Sequence, residues 1–160
     1  MQTVSLRKWA VDNEPDLTRE VYAQIDCGGT EDCGCEECFN FATTRHLVYS
    51  AEVIEFLEWL GIDPTLEACA RHDARLDTGD HTYTVSFFLV GRIATGPVTP
   101  VARRREGARE SLERAGDVEV GFCADASEAP DPFQGLPCVR LEVRVVAPWV
   151  ANGPEPIEPN

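Results

Sequence analysis

The chain predicts an α+β fold: a mostly antiparallel β-sheet or sandwich with one clear helix and a cysteine-rich metal-binding loop. Three observations carry that reading. Several short runs alternate apolar and polar residues, the mark of half-buried strands. One segment sets its apolar residues at helical spacing. Four cysteines fall within twelve residues of a stretch that has no periodicity of either kind.

With 160 residues, 43% of them hydrophobic, the chain has material for one core and not for two. Residues 1–150 are therefore read as a single domain and residues 151–160 as a flexible tail, because Pro154, Pro156 and Pro159 leave that tail almost nothing to bury. Lys and Arg total 14 against 28 Asp and Glu, a net charge of −14. That balance argues against a general nucleic-acid binder, since neutralising phosphates requires the opposite sign, and it disfavours an anionic membrane surface as well. No apolar run approaches the ~20 residues of a membrane span. Residues 1–25 mix Arg7, Lys8, Asp12, Glu14 and Asp16 without a signal-peptide core, so a cytoplasmic location is expected.

Residues 4–9 alternate weakly and residues 21–25 more clearly, so both are expected to be strands, with the polar stretch 12–19 between them. Residues 26–34 hold three glycines, and residues 26–44 hold five acidic side chains and no basic one. No packed regular element is expected there, only a loop held by something else. Residues 50–60 form the clearest helix: Ser50 is a good N-cap, Glu52 suits the positive end of the dipole, and Val53, Phe56, Leu57 and Leu60 share one face. Gly61 supplies a left-handed C′ residue and Asp63-Pro64 prevents continuation, so the helix should end near Leu60 and pack its stripe on the sheet.

Residues 67–75 are compatible with helix or strand. They lead through Leu76-Asp77-Thr78-Gly79-Asp80 into the strongest strand, residues 82–93, and a hairpin is expected. Within that strand Tyr83, Val85, Phe87 and Leu89 point to the core, and the opposite face is covered only at its far end, by Phe88 and Val90. Residues 101–115, with Arg103, Arg104, Arg105 and Gly107, support at most a short polar surface helix. Val118, Val120 and Phe122 alternate, as do Val139, Leu141, Val143 and Val145, giving two antiparallel strands joined by the long loop 127–137 with its three prolines.

The chemistry concentrates in Cys27, Cys33, Cys35 and Cys38, spaced C-x5-C-x-C-x2-C. Without a signal peptide a disulfide framework is disfavoured, and bridges confined to so short a loop gain little from loop closure. Zinc takes four thiolates tetrahedrally, the Cys35-x2-Cys38 spacing lets two sulfurs of one turn reach one ion, and Gly28, Gly29 and Gly34 let the backbone fold back. An iron–sulfur cluster uses the same four sulfurs and is the alternative cofactor. Free thiols in a glycine-rich loop are the third reading. A reactive redox thiol is disfavoured because Asp26, Glu31, Asp32, Glu36 and Glu37 all oppose the thiolate, whereas a divalent cation reverses that logic. His46 is a candidate to replace Cys27 as fourth ligand, and Cys69, Cys123 and Cys138 read as packing residues.

Two further groups have simpler explanations. His72, Asp73, Asp77, Asp80 and His81 could converge across the hairpin as an N/O ligand set or a proton-transfer pair, but a polar hairpin tip accounts for them. The Arg103 to Arg105 run reads as a partner for acidic loops or a solvated face. The common nucleotide-binding, zinc-protease and serine-hydrolase motifs are absent from the sequence.

The cysteine run followed by Asn40-Phe41, together with Leu60-Gly61-Ile62-Asp63-Pro64, the stretch from Phe87 to Gly91-Arg92, and Pro148-Trp149-Val150, resembles a group of uncharacterised bacterial proteins with a C-x-C-x2-C-x-N-[FY] signature. The match covers residues 21–93 and 139–150. That group carries a glycine pair after the tyrosine of the long strand, where this chain has Thr84-Val85 after Tyr83. The resemblance implies an extended segment after Pro64 and implies no activity. The functional expectation is a small non-catalytic domain whose cysteine loop is ordered by zinc, presenting a surface to a protein or small-ligand partner. The rival is an enzyme or electron carrier built on the same cysteines. Four sulfurs on the ion favour the first, and three sulfurs with an open position favour the second.

Overall fold

A computed structural model describes residues 1–6, 8–97 and 112–156. The elements are β1 (Gln2–Leu6), β2 (Trp9–Asn13), α1 (Pro15–Tyr22), α2 (Gly29–Cys33), α3 (Glu36–Val48), α4 (Ala51–Trp59), β3 (Cys69–Arg75), β4 (His81–Thr95), β5 (Glu113–Ala115), β6 (Val118–Cys123) and β7 (Cys138–Ala147). The described pairings form one antiparallel sheet in the order β1-β2-β4-β7-β6-β5, with β3 also on β4, so the α+β expectation holds. Of the helix expected over residues 101–115, residues 101–111 with their arginine run lie outside the described residues, and Glu113–Ala115 is strand rather than helix.

Strand β4 organises everything else. On one edge it pairs continuously with β7, from His81 opposite Ala147 to Val90 opposite Cys138. On the other edge it pairs first with β3, as the expected hairpin, and then from Gly91 onward with β2. Between these two partners a short length of edge has no strand beside it, and its polar backbone needs other partners. Helix α1 supplies them. The Tyr22 hydroxyl donates to the Phe88 carbonyl (2.8 Å) and accepts from the Phe88 N–H (3.2 Å). The Thr18 hydroxyl accepts from the Val90 N–H (3.0 Å), and the Glu14 N–H donates to the Val90 carbonyl (2.9 Å).

Residues 21 and 22 therefore belong to a helix, and the strand expected over 21–25 is corrected. Pro15 opens α1 and Asp16 lies in its first turn, paired with Arg19 at 2.7 Å. The inward face is Thr18, Val21 and Tyr22, with Ile25 packed beside the core, a 3–4 spacing in which one member is a threonine. The local alternation of Val21, Ala23 and Ile25 concealed it.

The helix expected at 50–60 is α4, capped by Ser50, whose hydroxyl accepts from the Val53 N–H at 3.3 Å. It ends in a Schellman motif: the Gly61 N–H donates to the Glu58 carbonyl and the Ile62 N–H to the Leu57 carbonyl. Gly61 has φ of 87° and is pressed against the Pro15 carbonyl, which leaves no room for a side chain. Val53, Leu57 and Leu60 are buried and Phe56 is half-buried. Val53, Phe56 and Leu57 border a cavity of about 210 Å3 with Val118, Val120 and Val143, so α4 lies over β6 and β7.

Helix α3 covers the neighbouring part of the same sheet face. Phe41 meets Tyr83 with ring centroids 5.4 Å apart, and Tyr49, just beyond α3, meets Phe87 at 6.4 Å. The opposite face of β4 is also covered from Thr84 to Val90, since Thr84 and Ser86 are as buried as Phe88 and Val90, while Thr82 is half-buried and Arg92 is exposed. This corrects the expectation of a half-exposed face. Charge pairing makes the burial tolerable: Arg140 donates to Ser86 at 3.0 Å and pairs with Glu128 and Glu142, while Asp73 accepts from Thr84 at 2.6 Å and faces Arg71 and Arg144.

Candidate metal centre

The acidic, glycine-rich stretch is not an irregular loop. It contains α2 and most of α3, joined at Gly34, whose φ of 75° is the left-handed conformation that turns one helix into the next. Cys33 is the last residue of α2, Cys35 is the N-cap of α3, and Cys38 lies one turn inside it. The Cys35 sulfur accepts from the Cys38 N–H at 3.4 Å, so it serves as a capping group and as a potential ligand at once.

What holds these helices is a buried ion pair that sequence reasoning missed. The Arg45 guanidinium, from the last turn of α3, forks onto Glu67 with contacts of 2.9 and 2.6 Å, and Glu67 is 1% exposed. Thr30 of α2 donates to the same carboxylate, Arg45 donates to the Thr30 hydroxyl at 3.1 Å, and Glu31 completes the cluster at 3.1 Å from Arg45. The Gly29 N–H donates to the Glu67 carbonyl at 2.7 Å, and a Cβ on Gly29 would stand 1.9 Å from the Ala68 carbonyl oxygen. Close backbone approach, not loop flexibility, explains that glycine.

The sulfurs of Cys33, Cys35 and Cys38 all lie within 4.8 Å of one another, with Cys33 and Cys35 3.4 Å apart. A zinc ion about 2.3 Å from each sulfur puts tetrahedral ligands about 3.8 Å apart, so the group can close on one ion with small side-chain shifts. Three soft sulfur donors suit a thiophilic transition metal and not magnesium or calcium. Cys33 and Cys35 are exposed and Cys38 is buried beside the Ala70 carbonyl, 4.0 Å away. The Cys33 thiol is drawn below its ordinary value by the Cys35 backbone and by the sulfurs of Cys35 and Cys38, whereas burial, then contact with the other two sulfurs, pushes Cys38 far up. A cation between them would overturn that resistance.

Cys27 stands outside the trio. It precedes α2, and its thiol donates to the Asp32 carboxylate at 3.3 Å, which pushes its titration upward. His46 is exposed near the far end of α3, about two turns or ~12 Å of helix from Cys38. Among the described residues the trio is the group of side chains fit to hold a metal. Cys123 is buried and Cys69 and Cys138 are half-buried, each pushed up chiefly by burial, as packing residues are.

The hairpin histidines do come together. His72 Nε2 and His81 Nδ1 are 2.8 Å apart, while Asp73 points to the other face toward Thr84. No family model, curated protein or solved structure matches this chain. No helix among the described residues is long and apolar enough to cross a membrane.

Proposed function

We propose that the protein is a metal-thiolate module in which Cys33, Cys35 and Cys38 hold one zinc ion at the α2–α3 junction, and that it acts without catalysis by presenting this junction to a protein or small-ligand partner. The observation that carries the reading is the convergence of the three sulfurs across a single left-handed glycine. The fourth position is open to Cys27, five residues upstream of Cys33 in the same acidic stretch, or to a donor from the partner. A three-sulfur count also favours a second reading, in which zinc or cluster iron keeps that position for a substrate.

Elemental analysis of protein purified without added metal tests the first reading. Close to one equivalent of zinc is expected in the natural chain and in Cys27→Ser, with loss in Cys38→Ser. Less than about a tenth of an equivalent of any transition metal in the natural chain overturns it. A visible absorption band, with iron in place of zinc, moves the assignment to the cluster.

Chelation should act locally, because the Arg45–Glu67–Thr30 network ties α2 and α3 to the body without metal. Hydrogen exchange with and without chelator is expected to deprotect residues 27–38 and to leave β4 unchanged. Deprotection of β4 as well would make the metal part of the core.

A further inference from the structure

Helix α3 turns two large apolar side chains to solvent. Phe39 is 56% exposed and Leu47 61%, and eight residues of helix set them ~12 Å apart on one outer face. Phe39 and Ala42 also line an open cavity of about 560 Å3, together with Gly34 of the α2–α3 turn, Glu31, Glu36 and Asn152.

Both carboxylates are held in place. Arg45, committed by its fork to Glu67, orients Glu31 at 3.1 Å. Glu36 is set by the segment after β7, which Asn40 fixes. Asn40 is 0% exposed; its Nδ2 donates to the Pro148 carbonyl (2.9 Å), and its Oδ1 accepts from the N–H groups of Val150 (2.7 Å) and Ala151 (3.2 Å). Gly153 then lies so close to Glu36 that a Cβ would stand 2.3 Å from the carboxyl carbon, so this carboxylate rests against backbone. Among the described residues no cation pairs with Glu36.

We propose that this cavity receives an arginine side chain of a protein partner, its guanidinium lying on the Phe39 ring and forking to Glu31 and Glu36. The proposal rests on the partner-presenting half of the reading above and not on the identity of the metal. An exposed aromatic ring beside two fixed carboxylates matches a guanidinium, which is planar, weakly hydrated and able to stack and fork at once. The ammonium of lysine is a compact, strongly hydrated charge and gains less from the ring. A metal ion does not fit, because the described residues bring three ligand atoms within 4.8 Å of one another only at the cysteine trio.

Free arginine fits less well than arginine in a chain. Among the described residues no cationic side chain lines the cavity, so a free α-carboxylate would face Glu31 and Glu36 without a counter-charge. In a protein that group is a neutral amide, and the residues flanking the arginine can cover Leu47. The net charge of −14 draws a basic segment toward this surface. Gly34 joins Cys33 to Cys35, so the docked side chain lies against the turn that sets the sulfur geometry.

The test is an NMR titration of the whole chain with N-acetyl-arginine methylamide, compared with its citrulline and lysine analogues and with unblocked arginine. Saturable shifts are expected at the amides of Gly34, Phe39, Thr43 and Asn152, with Kd in the millimolar range and weakening as salt rises. Citrulline, which keeps the shape without the charge, and unblocked arginine should each bind severalfold more weakly. Phe39→Ala and Glu36→Gln should each weaken binding severalfold with the β4 amides unmoved, whereas Glu20→Gln, at an exposed carboxylate of α1, should leave it unchanged.

Shifts spread over the acidic surface, citrulline or lysine binding as tightly as arginine, or a Kd indifferent to Phe39→Ala would each overturn the proposal. Shifts of the same amides with protein concentration alone would make a second copy of the chain the occupant and overturn it too. Elemental analysis of the same sample separates the two readings. Zinc-loaded protein that does not bind the blocked arginine overturns this proposal and leaves the metal in place; metal-free protein that binds it supports this proposal even where the zinc assignment fails.

Discussion

Arg45→Ala should destabilise the protein by about 3–5 kcal/mol, because it leaves Glu67 charged, buried and deprived of its strongest partner. The Glu67 side chain has no exposed surface and that of Arg45 has 14%, so water cannot replace the fork without opening the α2–α3 junction. Thr30 alone cannot neutralise the charge it donates to. Denaturant unfolding of the metal-free protein measures the effect without linkage to metal binding. The paired change Arg45→Met with Glu67→Leu should recover much of the loss, since replacing both members of a buried ion pair by apolar groups is often close to neutral. A cost below about 1 kcal/mol for Arg45→Ala would mean that the pair is solvated and that something else orients the helices.

Leu57→Ala should cost on the order of 2–5 kcal/mol through loss of burial and the cavity left behind. Leu57 is 0% exposed and already borders the cavity between α4 and the Val118, Val120 and Val143 surface. The truncation enlarges a space that the sheet cannot collapse to fill, because β6 and β7 are fixed by their ladder from Glu119 opposite Arg144 to Cys123 opposite Arg140. Trp59, two residues away on the exposed side, is the control: Trp59→Ala should cost far less, its side chain being 48% exposed. Equal losses at the two positions would rotate α4 from the orientation described here.

Sequence pattern was sufficient wherever apolar residues alone set the period. Helix α4, β4, β6 and β7 were legible because their buried faces are rich in Leu, Val, Phe and Tyr and α4 is bounded by Ser50 and Gly61. Strand β3, whose buried residues are Ala70, His72 and Asp73, was legible only through the turn at Gly79 that leads into β4. Helix α3 was not, because its inward face is Cys38, Phe41, Thr44 and Val48 with Asn40 beside them, and three of those five side chains do not register as hydrophobic periodicity. Signals for α3 were present in another form: Glu36 and Glu37 in the first turn and Arg45 and His46 in the last match the helix dipole. Asn40 and Glu67 could not be found from composition, since their partners lie 22 or more residues away.

The sequence by itself therefore determined the class of fold, the position of α4 and the stretch of chain in which metal chemistry is concentrated, because period, capping and cysteine spacing are local properties. Tertiary structure alone decided which cysteines meet. Cys27 and Cys33 are separated by α2, and the sulfur geometry depends on the left-handed turn at Gly34 and on the Glu67 clamp that sets α2 against α3. It also decided that residues 18–22 fill a gap in the β4 ladder as a helix. That choice is driven by the unpaired backbone of Phe88 and Val90, some seventy residues away, and no local propensity at Thr18 or Tyr22 encodes such a demand.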